Sequence, residues 1–236
     1  MVFLKFGFGL AVHKQTHTRR QENIVLLASF TGAAPMRRPG NPSAISVARM
    51  AAETKTEEEE RCAKYKVFKA IDDAYRKGDI DALVVALGDP ADFPNSLHPW
   101  ELGLGDFPLE YAIYASPLEF IRTLLDHGAN PNYPDRTGFP SLIAALSADR
   151  SDRLDVLGLL LCRGADTAQR GLNDWTPLHY AVSLDDVAAI EVLLAHGADA
   201  NARTRIDNFT TPLEEAEILN RKRAADALKR LIARAL

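Results

Sequence analysis

Thr176-Pro177-Leu178-His179-Tyr180-Ala181, followed by Gly197-Ala198-Asp199 and Asn201, is the stretch that decides how this chain folds. Its leucine precedes its glycine by nineteen residues, and the arrangement recurs. Leu109 precedes Gly128-Ala129-Asn130 by nineteen residues, and Leu142 precedes Gly164-Ala165-Asp166 by twenty-two. The Pro-Leu pair returns at Pro212-Leu213, so the leucine anchors 109, 142, 178 and 213 are spaced by 33, 36 and 35 residues. A period near 33 residues is that of a stacked helical array, whose usual work is binding and not chemistry.

The local chemistry supports helix pairs. Thr176 can cap free N–H groups, and Pro177 sits where no N–H is needed. Val182, Val187, Ile190, Val192, Leu193 and Leu194 mark the apolar faces of two short helices. Gly197 lets the chain leave the second helix through a left-handed residue, and Asp199 and Asn201 are turn formers. Such a pair cannot bury both faces alone, so neighbours must stack on it.

These residues closely resemble the ankyrin repeat. Thr176-Pro177-Leu178-His179 and Gly197-Ala198-Asp199 match that family's pattern almost letter for letter. Unit one is looser, with Phe107-Pro108-Leu109-Glu110, and unit two reads Pro140-Ser141-Leu142-Ile143, with three extra residues near Ala148–Ser151 between its helices. In unit three Asp185 holds the place of the interhelical glycine. The resemblance implies an all-α fold: helix–turn–helix units joined by hairpin-like loops, stacked into a slightly curved solenoid. About three full repeats plus two capping units are expected. Ala74–Asp79 with Leu83, Ala86 and Leu87 fits an N-terminal cap, its closing glycine replaced by Pro90. Unit four begins at Thr211-Pro212-Leu213. Its second helix, Ala224 to Ala235, carries a charged outer face, as the end of a solenoid needs.

Charge divides the chain. Residues 1–49 hold seven Lys/Arg against the single acid Glu22, whereas from Met50 onward 21 basic residues face 31 acidic ones. The expected organisation is a basic extension, 1–49, and an ankyrin repeat domain, 50–236. For the extension three readings stand: a start of translation at Met50 or Met36, a targeting segment, or a disordered basic tail. Arg19-Arg20 ahead of Ile24–Ala28 faintly suggests twin-arginine export, with Glu22-Asn23 interrupting it. No stretch approaches the roughly 18–20 apolar residues of a membrane span. Cys62 and Cys162 are too few for a disulfide framework, and Cys162, after Leu159-Leu160-Leu161, reads as a packed thiol. A cytoplasmic location is expected, with export or organelle targeting as the alternative should residues 1–49 be a genuine leader.

Reactive constellations are missing from the pattern. The repeat explains His127 and His196, which precede closing glycines, and His179 occupies the family's structural position. Neither histidines nor cysteines have zinc spacing, no phosphate loop is present, and Asp149, Asp152 and Asp155 lack the glycine and glutamate of a calcium loop. Asn208-Phe209-Thr210 fits the cheap three-letter glycosylation pattern. No enzyme activity, cofactor or metal is expected.

What remains is a binding surface. In the family, partners meet loop tips and the exposed residues of each first helix. By the register, that assigns Asp106, Tyr114, Arg136, Phe139, Trp175, Tyr180, Ser183 and Leu184 as partner-binding residues. Large aromatic residues at otherwise free positions are candidate hot spots. The expected function is a protein–protein interaction module, an adaptor or regulator acting as a monomer through its concave face. The alternative is a stoichiometric inhibitor or immunity protein, whose acidic domain would suit a basic target. The acidity also argues against nucleic acid as the ligand, and no membrane partner is expected.

Overall fold

The computed structural model describes residues 44–99, 106–134, 139–206 and 209–235, with side chains described from residue 58. The chain divides into two units, residues 1–65 and 66–236. In the first, the described residues belong to one helix, α1 (Ala44–Lys77), which continues into the second. It runs through residues 49 and 50, where the sequence reading places the edge of the repeat region. The expectations for residues 1–43 lie outside the described residues.

The second unit is built from paired helices. After the end of α1 come α2 (Ile80–Leu87), α3 (Pro108–Ala115), α4 (Leu118–Asp126), α5 (Ser141–Ser147), α6 (Arg153–Cys162), α7 (Pro177–Ser183), α8 (Val187–Ala195), α9 (Pro212–Ile218) and α10 (Lys222–Ala235). No strand occurs among the described residues. Each of α3/α4, α5/α6, α7/α8 and α9/α10 packs as a pair. The first helices touch in series, and so do the second helices. The chain thus forms an inner row (α3, α5, α7, α9) and an outer row (α4, α6, α8, α10).

Local chemistry sets the ends. Thr176 and Thr211 accept from the backbone N–H of His179 and Glu214, and those two side chains reach back to the cap residue, giving reciprocal capping boxes with proline at the first helical position. The outer helices end on left-handed glycines: Gly128, Gly164 and Gly197 have φ of 88, 84 and 85°. At each, the residue after the glycine donates back to the helix, as in Ala198 N to Leu193 O at 3.0 Å. In the first unit of the array this role belongs to Gly88 (φ 82°), with Asp89 N bonding Val84 O at 2.9 Å, and not to the expected Pro90. The proline ring locks φ at about −65° and cannot take the left-handed conformation that closure needs, so the closure falls two residues earlier, on a glycine.

Between the rows lies the core. Leu109 and Leu142 are 2% exposed and Leu178 is fully buried, as are Ile113, Ile121, Leu124, Leu157, Leu160, Ile190 and Leu193. Each such side chain contributes about 1.5–3 kcal/mol. Ile71 and Tyr75 at the end of α1 and Leu83 of α2 close one end. At the other end, α10 buries Ala224, Ala225, Ala227 and Leu228. In register, its Lys222 and Lys229 replace Val187 and Leu194 of α8, and Lys229 pairs with Glu217 at 2.9 Å. Charge where the previous unit is apolar opposes another regular layer. Cys162 departs from the packed-thiol expectation: it is exposed, because the buried arc of α6 ends with Leu159–Leu161.

Candidate interaction surface

The inner helices of the first three pairs, α3, α5 and α7, present a face nearly free of charge, whereas α9 carries Glu214, Glu215 and Glu217. Helices α5 (SLIAALS) and α7 (PLHYAVS) contain no Asp, Glu, Lys or Arg, and the single acid of α3, Glu110, is buried. What the row offers is aromatic surface and hydroxyls. Tyr114 OH lies 3.1 Å from Ser147 Oγ, and Tyr180 of the next unit faces the same serine. Ser147 Oγ donates to Ala144 O at 3.0 Å, so its lone pairs are free to accept the Tyr114 hydroxyl. Burial pushes the Tyr180 phenol above its usual pKa, which keeps it a donor. Trp175 meets Tyr180 edge to face, with ring centroids 6.4 Å apart.

The residues expected from the register therefore divide. Tyr114, Tyr180 and Trp175, all half-buried, join through Ser147 into one path across three units. Leu184 ends α7 and is 48% exposed. Ser183 turns inward and donates to Tyr180 O at 2.7 Å, so its hydroxyl is used within its own helix. Phe139 packs against the core while its carbonyl accepts from Tyr133 OH at 3.1 Å. Asp106 donates its backbone N–H to Glu110 Oε2 at 3.1 Å and accepts from His98 N at 2.8 Å. Arg136 lies outside the described residues.

His179 belongs to the scaffold of this face. It is fully buried, with Nδ1 2.8 Å from Thr176 Oγ1 and Nε2 3.1 Å from Thr210 O of the next loop. Burial holds its pKa below the usual 6.5, so the ring is neutral: Nδ1 accepts and Nε2–H donates. Beside it lies a feature that the sequence reading did not assign. Asp174, 11% exposed, takes Arg170 at 2.9 Å and Arg205 at 2.6 Å, and the Arg205 bond draws its carboxyl below the usual range. Phe209, 58% exposed, was also missed as a site residue; Ile218, 56% exposed, falls where the register places a late first-helix contact, in line with Tyr114 and Ser147.

Among the described residues no three His, Cys, Asp or Glu side chains gather as metal ligands would, and no helix is long and apolar enough to cross a membrane. An open depression of about 610 Å³ is lined by Arg203, Thr210, Glu214, Glu217 and Ile218.

Known proteins share these features. The family described as "Ankyrin repeat" matches residues 173–205, and "Ankyrin repeats (many copies)" matches 109–156. The chain is 37% identical over 94 residues to the nine-banded-armadillo (Dasypus novemcinctus) "Ankyrin repeat, SAM and basic leucine zipper domain-containing protein 1", covering 39% of this chain and 20% of that one. It is 39% identical over 100 residues to the human "Neurogenic locus notch homolog protein 4", covering 42% and 5%, respectively. To "Alpha-latrocrustotoxin-Lt1a" of Latrodectus tredecimguttatus it is 31% identical over 97 residues, covering 41% and 7%. The chain thus spans a fifth or less of the length of these relatives.

Proposed function

This chain is an ankyrin repeat protein, and from that premise we propose that it acts as an adaptor or regulator, binding a partner protein through its inner-helix and loop-tip side. Ankyrin repeats are in general protein–protein interaction modules and not enzymes. The observation that carries the finer reading is the uncharged path Tyr114–Ser147–Tyr180–Trp175 with exposed Leu184 beside it. An aromatic, hydroxyl-bearing centre with charge at its borders suits a protein surface better than a phosphate backbone. Asp106, Phe139 and Arg136 would border this centre, and Ser183 would support it from within. The protein would act as a monomer. A reducing, cytoplasmic setting fits two exposed, unpaired cysteines, Cys62 and Cys162.

The test is calorimetric titration of a purified partner, obtained by pull-down, against Trp175→Ala and Glu191→Lys. Trp175→Ala is expected to weaken binding by about 1–4 kcal/mol with little change in melting temperature. Glu191 lies exposed on outer helix α8, pairs with Arg230 at 2.8 Å, and its reversal is expected to leave affinity unchanged. Loss on Glu191→Lys with none on Trp175→Ala would move the binding side to the outer row.

A further inference from the structure

The loop from α8 to α9 is fixed at its base and extravagant at its tip. Thr204 and Thr210, each 4% exposed, close the base: Thr204 N donates to Thr210 O and Thr210 N to Thr204 Oγ1, both at 3.0 Å. His179 Nε2–H donates to the same Thr210 carbonyl, and Thr210 Oγ1 donates to Glu215 Oε2 at 2.7 Å. From this base the chain carries Ile206 and Phe209 outward, 48% and 58% exposed.

Phe209 has a φ of 52°, in the left-handed region where a bulky side chain is disfavoured by about 1–2 kcal/mol. Other left-handed positions in the described chain are held by Gly, Asn or Asp, which tolerate it. Burial gives nothing back at this position, because most of the ring stays in water. Two unfavourable local effects thus coincide at one aromatic residue, and neither serves the packing of the array.

Exposed arginines flank the loop, each paired with a carboxylate of the fold. Arg203 donates from Nη1 to Phe209 O at 2.8 Å and pairs with Glu214 at 2.9 Å, and it remains 58% exposed. Arg205, 71% exposed, shares Asp174 with Arg170. Arg170 Nη2 also donates to Arg203 O at 2.9 Å. Three guanidinium groups thus share this loop with three carboxylates, Asp174, Glu214 and Glu215, and Arg203 and Arg205 keep more than half of their surface exposed. Asp207 and Asn208, also in the tip, lie outside the described residues.

We infer that Phe209, with Ile206 beside it and Arg203 and Arg205 at its edges, is an anchor that inserts into a partner protein offering an apolar pocket of phenyl width rimmed by carboxylates. This rests on the reading that the loop-tip side is the binding side, and it moves the energetic centre from Trp175 towards the fourth unit. A rigid aromatic ring on a braced loop loses little entropy on insertion, and guanidinium groups at the rim add charge-assisted bonds and steering.

A substitution separates the anchor from the scaffold. Phe209→Gly removes the ring and relieves the left-handed strain, so its melting temperature is expected to be unchanged or raised by roughly 1–4 °C. A clear fall in melting temperature would mean that the ring packs within the fold, and the inference would be wrong whatever binds. For binding, the immobilised full chain, Phe209→Gly, Trp175→Ala and Glu191→Lys are compared in cross-linked extracts of the source cells, and the retained protein is then purified and titrated. The expected result is a roughly tenfold to hundredfold weaker affinity for Phe209→Gly, with cross-links from the 204–210 loop to acidic residues around an apolar pocket. Full affinity for Phe209→Gly with loss for Trp175→Ala would overturn the anchor and leave the binding side intact. Loss for Glu191→Lys alone, or no protein retained by any of the four, counts against both.

Discussion

The turns that close α4 and α6 are each gripped by an asparagine of the preceding loop, and the turn that closes α8 is not. Asn95 Nδ2 donates to Gly128 O at 3.0 Å and its Oδ1 accepts from Asn130 N at 2.8 Å. One repeat later, Asn132 does the same to Gly164 O at 2.9 Å and Asp166 N at 2.7 Å. The next residue in register is Ala168, which has no side chain to reach Gly197 and Asp199. The third joint is held nearer the loop tips instead, by Arg170 to Arg203 O, Arg205 to Asp174, and His179 to Thr210 O. At their turns, two joints thus carry neutral clamps and the third charges and a histidine, while pairs such as Arg163 with Asp126 at 2.6 Å join the outer helices elsewhere. Equal stacking of helices can therefore carry unequal responses to salt and pH.

The largest expected effect tests whether the difference is confined to polar edges. Leu142 and Leu178 are buried alike at the second and third joints. Leu142→Ala and Leu178→Ala should each cost about 2–5 kcal/mol by leaving cavities between units. Urea unfolding decides this. A Leu178→Ala cost far below that of Leu142→Ala would mean that the third joint is looser in its core as well.

His179→Ala comes next, at roughly 1–3 kcal/mol, since it removes one of the two bonds to the Thr210 carbonyl and breaks the Thr176 box. Its pH behaviour follows from the depressed pKa. Below about 6.5 the unfolded chain takes up a proton that the folded site resists, so this contribution is complete above 6.5 and is lost as pH falls towards the lower folded value. Melts from pH 8 to pH 5 should show a decline that His179→Ala reduces. A wild-type melting temperature flat across that range, or a slope unchanged in the variant, contradicts a neutral buried imidazole.

Asn132→Ala and Asp174→Asn compare the two kinds of clamp directly. The first should cost about 1–2 kcal/mol, equally in low and high salt, because the bonds are neutral. The second should cost about 1 kcal/mol or less, shrinking as salt screens its partially exposed arginines. Chemical denaturation with urea at two ionic strengths reads both. Equal salt dependence in the two variants would erase the distinction between joints.

What could be read from the residues beforehand has a physical boundary. Thr176-Pro177, Thr211-Pro212 and the glycines at 128, 164 and 197 act on their own neighbours, so their roles were legible in the chain. Gly88 was not, because Asp89-Pro90 imitates the end of a unit and draws the closure two residues along. The exposure of Cys162 depends on where the buried arc of α6 stops, which a run of leucines hides. The asparagine clamps join residues 32 to 35 positions apart, and the repeat spacing implied such neighbours without naming the bonds. Arg170 recurs as Arg203, six residues after the closing glycine, but nothing in the period names Asp174 as the carboxylate that Arg170 and Arg205 share. At the candidate surface, the register found Tyr114, Trp175 and Tyr180 but not the serine that links two of them. Nor did it foresee the backbone conformation that displays Phe209.

The smallest effect is the sharpest test of the comparison. Ala168 already sits in the same turn as Asn132: its backbone N donates to Asp166 Oδ1 at 2.8 Å, where Asn132 N donates to Asn130 Oδ1 at 2.9 Å. An amide at 168 would therefore start from a backbone that needs no rearrangement, aimed at Gly197 O and Asp199 N. Two bonds at about 0.5–1.5 kcal/mol each, less about 1 kcal/mol for ordering the side chain, leave Ala168→Asn more stable by about 1 kcal/mol at the centre of the range. That corresponds to a rise of roughly 1–4 °C, the same in low and high salt, with slower amide exchange across 197–201. The third joint would then lean less on its ion pairs, so Asp174→Asn should cost less in the Ala168→Asn background than alone. A neutral or destabilising Ala168→Asn would show that the third joint differs in spacing and not merely in one missing side chain, and the arginine cluster would then be a consequence of that spacing.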